Sequence, residues 1–128
     1  MERKKVSEIY LFAGEEEFLK REALDKLIRY LISPPHRHFD LDILHASRSN
    51  TLEIMNKAFT FPVASERRLV IVYDVDKLTP SDKQLLLTHL KGLPDSTCLV
   101  LLSAKLDKRK KFYIDLEKSA TVVEFHQL

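Results

Sequence analysis

Residues 68–73, Arg-Leu-Val-Ile-Val-Tyr, give the clearest strand signal in this sequence. A continuous apolar run rich in β-branched residues is typical of a strand buried on both faces, as in a parallel sheet. Ile9–Ala13 and Thr97–Ser103 have the same character, and Phe39–Leu44 and Thr121–Phe125 show shorter strand patterns. The sequence therefore predicts five strands.

Segments of helical length separate these strands. Apolar residues recur at helical spacing, which predicts helices over residues 15–32, 51–59, 79–92 and 108–118, whereas 34–38 is expected to be a loop. The side chains expected to face inward are Leu52, Met55 and Phe59 in the second helix and Leu85, Leu86, Leu90 and Leu93 in the third. Strands that alternate with helices indicate an α/β fold, a five-stranded and mostly parallel sheet flanked by helices.

Composition narrows the class of protein. The chain has 128 residues, 45% hydrophobic and 31% charged, which fits a single globular domain. Apolar runs reach only about five residues, far short of the roughly 20 that a membrane span needs. The charged head at residues 1–5 precedes an interrupted apolar stretch, so we expect a first strand of a cytoplasmic protein. The single cysteine, Cys98, lies within an apolar run and is expected to be a buried, inert thiol.

The glycine count excludes the common nucleotide sites. With only Gly14 and Gly92, the chain contains neither a Gly-x-x-x-x-Gly-Lys phosphate loop nor a dinucleotide fingerprint. His36 and His38 have no third metal ligand nearby, and no catalytic triad is recognisable. No catalytic, cofactor-binding or metal-binding residue is therefore predicted.

A receiver-like phosphoacceptor site is an alternative that the strand ends raise. Glu15, Glu16, Asp74 and Ser103 occupy three of its four positions, after the first, third and fourth predicted strands. The lysine expected after the fifth strand is missing, and phosphoryl transfer depends on such a cation. Acidic residues in solvated loops explain the same pattern.

A basic cluster stands out against a nearly neutral chain. The net charge is +2, yet residues 105–111 contain five cations and one acid. Cations at the start of a helix oppose the helix dipole, so Lys108, Arg109, Lys110 and Lys111 hint at a phosphate or acidic partner. A solvated helix end is the alternative. No aromatic residues are spaced for base stacking, so reading of a nucleic-acid sequence is not expected.

The connection between the second helix and the third strand is unusually apolar. It contains Phe59, Phe61, Pro62 and Val63, whereas loops normally lie on the surface. Phe59 is expected to fold back into the core. Either Phe61 does the same, or the segment Phe61–Ala64 is an exposed tip that docks onto a partner.

Three segments together resemble one known family. Tyr10-Leu-Phe-Ala-Gly-Glu-Glu-Glu-Phe-Leu19, Pro62-Val-Ala-Ser-Glu-Arg-Arg-Leu-Val-Ile-Val72 and Leu101-Leu-Ser-Ala-Lys-Leu-Asp-Lys-Arg-Lys-Lys111 are similar to the bacterial DNA polymerase III delta subunit, in order and spacing. The resemblance implies an AAA+ (P-loop NTPase-like) fold without a phosphate loop, with residues 1–128 as the amino-terminal domain of a longer, three-domain clamp-loader chain.

The resemblance also implies a function in DNA replication. Such a domain binds and opens the sliding clamp (beta subunit), beside gamma/tau and delta prime subunits and DNA, with no membrane and no ATPase activity of its own. It is part of a DNA-directed DNA polymerase, a nucleotidyltransferase, by association only. The family's large Leu-Phe tip falls here on the smaller Pro62, Val63 and Ala64, and Phe61 is expected to supply the missing bulk.

Two sets of contact residues follow from this resemblance. Phe61, Pro62, Val63 and Ala64 are the expected clamp-binding residues, and Lys108, Arg109, Lys110 and Lys111 are expected to contact another subunit or DNA. The alternative function is a degenerate P-loop-like scaffold of another assembly without clamp contact.

Overall fold

A computed structural model describes residues 8–126, so residues 1–7, 127 and 128, including the charged head, lie outside it. Within the described range, five strands form one sheet in the order β2-β3-β4-β1-β5, and every paired strand is parallel. The strands are β1 (Ile9–Ala13), β2 (Leu41–His45), β3 (Arg68–Tyr73), β4 (Thr97–Ser103) and β5 (Thr121–Glu124). The predicted α/β fold with a five-stranded sheet is confirmed.

Strand position in the sheet follows the apolar content of each strand. β4 lies at the centre, and all seven of its residues are buried. Beside it, β3 has five buried residues out of six. The edge strands β2 and β5 contain polar residues and are partly exposed, since each edge has only one neighbour. Burial in β4 raises the pKa of Cys98 to about 12, which agrees with an inert thiol.

Helices cover both faces of the sheet. They are α1 (Glu17–Leu31), α2 (Arg37–Asp40), α3 (Thr51–Ala58), α4 (Pro80–Leu90) and α5 (Lys111–Glu117). Leu24 of α1 packs in one core cluster with Leu69 and Ile71 of β3. On the other face, α3, α4 and α5 contribute Ile54, Leu86 and Leu116 to a second cluster. The sheet therefore separates α1 from the other long helices.

Side-chain caps fix the start of three helices. The carboxylate of Glu16 accepts the N–H of Phe18 at 3.1 Å, so α1 begins later than the predicted residue 15. Asn50 caps α3, because its side-chain oxygen accepts the N–H of Glu53 at 3.0 Å. Thr79 caps α4. Each cap satisfies an amide that lacks a partner within the helix.

The region before β2 differs from the prediction. Residues 34–38 are not a loop, because Pro34–His36 forms a short 3-10 helix that continues into α2. Proline pre-sets the backbone dihedral that a first helical turn needs. Phe39 consequently belongs to α2, and the strand begins at Leu41.

The start of the last helix also differs from the prediction. Asp107 forms a turn, since its carboxylate accepts the N–H of Arg109 at 3.0 Å and its carbonyl accepts the N–H of Lys110 at 3.1 Å. An aspartate that binds nearby amides in this way competes with helix formation. α5 therefore begins at Lys111 rather than Lys108.

The inward face of α3 is rotated from the prediction. Thr51 is buried, and its hydroxyl donates to the carbonyl of Asp82 at 2.7 Å, which places Ile54, Met55 and Ala58 on the core side. Leu52 is 68% exposed. In α4 the prediction is closer: Leu86, Leu90 and Leu93 are buried, whereas Leu85 is half-buried.

Candidate functional site

The loop between α3 and β3 presents apolar side chains to solvent. Phe61 is 69% exposed and Val63 is 73% exposed. Ala64 is also exposed, and Pro62 is half-buried. The four predicted docking residues therefore lie on one surface segment, here called the tip loop (residues 61–65).

A buried carboxylate from another element holds the backbone of the tip loop. Asp40, the last residue of α2, is completely buried. Its Oδ1 accepts the N–H of Val63 at 2.6 Å, and its Oδ2 accepts the N–H groups of Ala64 and Ser65 at 2.8 and 2.5 Å. Hydrogen bonds to an ionised carboxylate are stronger than those between neutral groups. The tip loop is thus fixed through its backbone while its apolar side chains face outward.

These hydrogen bonds also keep Asp40 charged. Burial by itself raises the pKa of a carboxyl group, because it disfavours the ionised form. At Asp40 the N–H groups of Val63, Ala64 and Ser65, with the Ser65 hydroxyl, outweigh burial and hold the pKa below its usual value. The anchor is therefore a carboxylate at neutral pH.

Two arginines at the end of the loop tie it to the neighbouring elements. Arg68, buried at the start of β3, donates from Nη1 to the carbonyl of Phe39 at 3.0 Å and forms an ion pair with Asp42 of β2. Arg67 donates from Nη2 to the carbonyl of Thr97 at 2.9 Å. The Arg-Arg pair that contributes to the family resemblance has a structural role here, because it joins α2, β2, β3 and β4.

A parallel sheet has one edge where all its strands begin and an opposite edge where they all end. The tip loop lies at the edge where the strands begin. It leads into β3, and Asp40 directly precedes β2. Because β2 and β3 are parallel, their starting ends share one edge. Ligands of open parallel sheets usually bind at the opposite edge, beyond the carboxyl ends of the strands. The tip loop is therefore remote from the usual ligand site of such a fold.

The expectation that Phe59 lies in the core is wrong. It is 38% exposed, whereas the preceding residue, Ala58, is completely buried. Phe59 is the C-cap of α3 and has non-helical backbone angles, and its ring lies near Gly92. The backbone N–H of Phe59 donates to the carbonyl of Met55 at 2.9 Å, which closes the last turn of α3.

A cavity of about 700 Å³ lies at the opposite edge of the sheet, beyond the ends of β1 and β4. Its charged lining comprises Glu15, Lys105, Asp107, Lys108, Arg109 and Glu124. Lys108 pairs with Glu124 and Arg109 with Asp107, each at 3.2 Å. Since three acids balance three cations in this lining, the cavity has no excess of positive charge for a phosphate.

A buried lysine beside this edge was missed by the sequence reasoning. Lys20 follows Gly14 at the spacing of the first glycine and the lysine in a phosphate loop, with Leu19 in place of the second glycine. It is 3% exposed, and its Nζ lies 3.4 Å from the carbonyl oxygen of Ser103 and 3.0 Å from the carboxylate of Glu17. The spacing from Gly14 was the signal that could have found it. The ammonium group is already bound by protein oxygens.

Two residues of the receiver-like alternative, Ser103 and Glu16, are held by local hydrogen bonds. The hydroxyl of Ser103 donates to the carbonyl of Lys105 at 2.6 Å and lies 3.1 Å from the hydroxyl of Tyr113. Glu16 is occupied as the cap of α1, and Glu15 is exposed. These groups serve the local structure at the strand ends.

The basic cluster lies on the surface. Lys108, Arg109, Lys110 and Lys111 are all exposed. Hydrogen bonds from Arg109, Lys108 and Lys111, respectively, lower the pKa values of three neighbouring acids, Asp107, Glu124 and Asp115. The four cations, here called the basic turn (residues 108–111), thus have acids beside them but remain open to solvent.

Further lysines extend this surface along α4 and α5. Two adjoining grooves of about 280 Å³ each lie between these helices. The lysines that line them are Lys83, Lys91, Lys110, Lys111 and Lys118. Asp115 is the acid in that lining and pairs with Lys111 and Lys118. Sequence reasoning missed the contribution of α4, because its lysines are scattered rather than consecutive.

Within residues 8–126, no three His, Cys, Asp or Glu side chains are grouped so that they could hold a metal ion. His36 instead places its Nδ1 3.4 Å from the hydroxyl of Ser65 in the tip loop. None of the described helices is long and apolar enough to cross a membrane.

Comparison with known proteins gives the family of the chain. The model of the family "DNA polymerase III, delta subunit" matches residues 10–126. The chain belongs to the DNA polymerase III delta subunit family. The resemblance predicted from three sequence segments is thus confirmed.

Individual delta-family relatives agree with this assignment. The DNA polymerase III subunit delta of Bacillus subtilis (strain 168) is 28% identical over an aligned length of 138 residues. The alignment covers 100% of this chain and 40% of the relative. The structure of the Bacillus subtilis DNA clamp loader delta protein is 26% identical, with a TM-score of 0.86 over 96% of this chain and 39% of that one. The chain therefore spans about two fifths of the length of these relatives.

A more distant structure shares the fold. A gamma subunit-related protein of DNA polymerase III from Thermotoga maritima superposes with a TM-score of 0.70 at 19% identity, over 95% of this chain and 42% of that one. Together with the clamp-loader delta structure, the five-stranded parallel sheet identifies an AAA+-like fold.

Proposed function

We propose that this delta-family domain binds a sliding clamp through Phe61, Pro62, Val63 and Ala64 and helps to open it, without ATPase activity of its own. The observation that carries the proposal is the exposure of Phe61 and Val63, 69% and 73%, on a loop whose backbone Asp40 fixes. Apolar side chains held in place on a surface are the usual anchors of small, high-affinity contacts.

Family membership supports the further proposal that the chain works within a clamp-loader complex, and we extend this proposal to its partners. The clamp is the beta subunit, and the neighbouring subunits are gamma/tau and delta prime. The basic turn, with the lysines of α4 and α5, is proposed to contact one of these subunits or the DNA backbone. We also propose that this domain is the amino-terminal one of a longer, three-domain chain, since it spans about two fifths of the length of its relatives.

Two substitutions test the clamp contact. Burial of one large apolar side chain contributes roughly 1.5–3 kcal/mol, and tenfold in affinity is about 1.4 kcal/mol. Phe61→Ser and Val63→Asp are therefore each expected to weaken clamp binding about tenfold or more. Affinity is measured by calorimetry with the purified clamp, and stability by thermal unfolding.

Leu52→Ser is the matched control, because Leu52 is 68% exposed but lies on α3 outside the tip loop. It is expected to leave clamp affinity unchanged. Parallel loss of stability and affinity in both tip variants would place the loop in the core and contradict the proposal. A wild-type protein that does not bind the clamp would favour the alternative, a scaffold domain without clamp contact.

A further inference from the structure

Three successive backbone amides of the tip loop converge on one side chain that lies far away in the sequence. The N–H groups of Val63, Ala64 and Ser65 all donate to the carboxylate of Asp40, at 2.5–2.8 Å. Neighbouring residues take part as well: the carbonyl of Phe39 in α2 accepts from Arg68, and His36, in the 3-10 helix before α2, lies beside Ser65. α2 and the tip loop thus form one hydrogen-bonded unit.

Apolar packing cannot account for the order of this loop. Phe61, Val63 and Ala64 are exposed, so their side chains contribute little buried area that would hold the backbone. Asp40 is completely buried, and its ionised carboxylate is stable there only because the amides solvate it. The loop and the buried charge therefore depend on each other.

We infer that Asp40 is the positioning residue of the clamp contact, and that its carboxylate holds the tip loop in the binding conformation before the clamp arrives. This inference rests on the proposed clamp binding by the tip loop. Fixing the backbone of each loop residue costs free energy, and a partner that has to order the loop loses that amount from its affinity. Asp40 meets this cost during folding, so a small apolar tip suffices for binding.

A tip with small side chains can act in this way. Pro62, Val63 and Ala64 are small and bury little area on a partner. A rigid loop needs less contact area for the same affinity than a mobile one, because less entropy is lost on binding. The anchor therefore compensates for the small side chains.

Asp40→Asn in the full-length protein separates positioning from contact. The variant keeps the shape of the side chain but replaces one acceptor oxygen by an NH₂ group that faces the loop amides. Amide hydrogen exchange of residues 63–65, measured without the clamp, is expected to accelerate at least tenfold. Clamp affinity, measured by calorimetry, is expected to fall about tenfold, as an entropic loss.

Asp95→Asn is the matched control, since it removes the same charge at an exposed position of the turn before β4. It is expected to change neither exchange nor affinity. Unchanged exchange in Asp40→Asn would show that Asp40 does not hold the loop. Faster exchange with unchanged clamp affinity would show that loop order does not matter for binding, and would overturn the inference.

The wild-type protein provides a readout that does not depend on the variant folding. The lowered pKa of Asp40 means that the anchor is intact above the ordinary carboxyl range of about pH 4 and is lost as the pH falls through the lower, folded-state value. The amide chemical shifts of residues 63–65 should report that transition. Ionisable groups beside this contact include Asp42, Arg68 and His36. Because His36 contacts the hydroxyl of Ser65, the decisive amides are those of Val63 and Ala64, and their titration at or above the ordinary value would overturn the inference.

Failure of the proposed function looks different from failure of this inference. If Phe61→Ser and Val63→Asp bind the clamp as well as the wild type does, the tip loop is not the contact. The exchange and titration results would still show whether Asp40 fixes the loop, so the two ideas are tested separately.

Discussion

Gly14 adopts a φ of +126°, a conformation that side-chain-bearing residues rarely take. A Cβ atom at this position would lie 2.1 Å from the carbonyl oxygen of Phe125, far inside contact distance. The same carbonyl accepts the N–H of Glu16 at 3.3 Å, and the N–H of Phe125 donates to Ala13 at 2.8 Å. Gly14 thus allows the chain after β1 and the chain after β5 to approach closely.

Gly14→Ala is therefore expected to destabilise the domain by about 2 kcal/mol or more, through the backbone conformation and the contact with Phe125. Thermal unfolding should show this as a fall in Tm of roughly 5–10 °C. Gly92→Ala is the matched control, because the nearest atoms to its Cβ would be 3.9 Å away. It should leave Tm nearly unchanged. Equal effects of the two substitutions would contradict the role of Gly14.

The first and last residues of strands that are buried on both faces could be predicted from the sequence. The bounds and faces of helices that depend on polar contacts could not. β3 and β4 have the bounds that their apolar runs indicated. The start of α5 was missed because the carboxylate and carbonyl of Asp107 bind the amides of the next turn. The inward face of α3 was missed because it begins with Thr51, a polar residue that is buried by its hydrogen bond to α4.

The candidate site shows the same division. The sequence left two outcomes open for the tip loop, folding back into the core or exposure to solvent. The structure shows that Phe61 and Val63 are exposed. The role of Asp40 could not be predicted. In the sequence it stands in Phe-Asp-Leu-Asp, which resembles alternation of apolar and solvated residues, and its amide partners lie in another loop. Only the packing of α2 beside β3 brings them together.

The basic turn makes a prediction at the level of an element. Replacing Lys108, Arg109, Lys110 and Lys111 with glutamine should leave Tm unchanged, because ion pairs of exposed side chains contribute little to stability. If these residues contact phosphates in the assembled complex, DNA affinity should fall and its dependence on salt should weaken by about one unit of slope per lost contact. Fluorescence anisotropy over a salt series measures both quantities.

A control for this variant removes the same charge elsewhere. The cations of the control set are Arg21, Lys26 and Arg29 of α1 and Lys57 of α3, all exposed. Their replacement with glutamine should leave the salt dependence as in the wild type. If the basic-turn variant instead fails to fold, its cations are structural, and if both variants behave alike, only net charge matters.

For the whole molecule, the parallel sheet places the two proposed contacts at opposite edges. The tip loop leads into the start of β3, and the basic turn follows the end of β4. Since these neighbouring strands are parallel, a clamp at one edge leaves the other edge accessible to a subunit or DNA. The edge where such folds usually bind ligands, beyond the ends of the strands, lies beside the basic turn. Its charged side chains pair with one another there, Lys108 with Glu124 and Arg109 with Asp107.

The last prediction is that the domain does not bind Mg-ATP. A phosphate loop offers free amides at a helix start together with a lysine. Here the carboxylate of Glu16 occupies the N–H of Phe18 at the start of α1, and the ammonium of Lys20 is bound by Ser103 and Glu17. The adjoining cavity also has no excess of positive charge to attract the phosphates, since its three acids balance its three cations. Calorimetric titration should show no heat of binding, and a micromolar dissociation constant would contradict the prediction. Repeating the titration with Glu15→Gln and Glu16→Gln combined separates the causes. Binding by that variant alone would show that charge excludes the nucleotide, whereas no binding by either protein would show that the missing amide cradle is decisive.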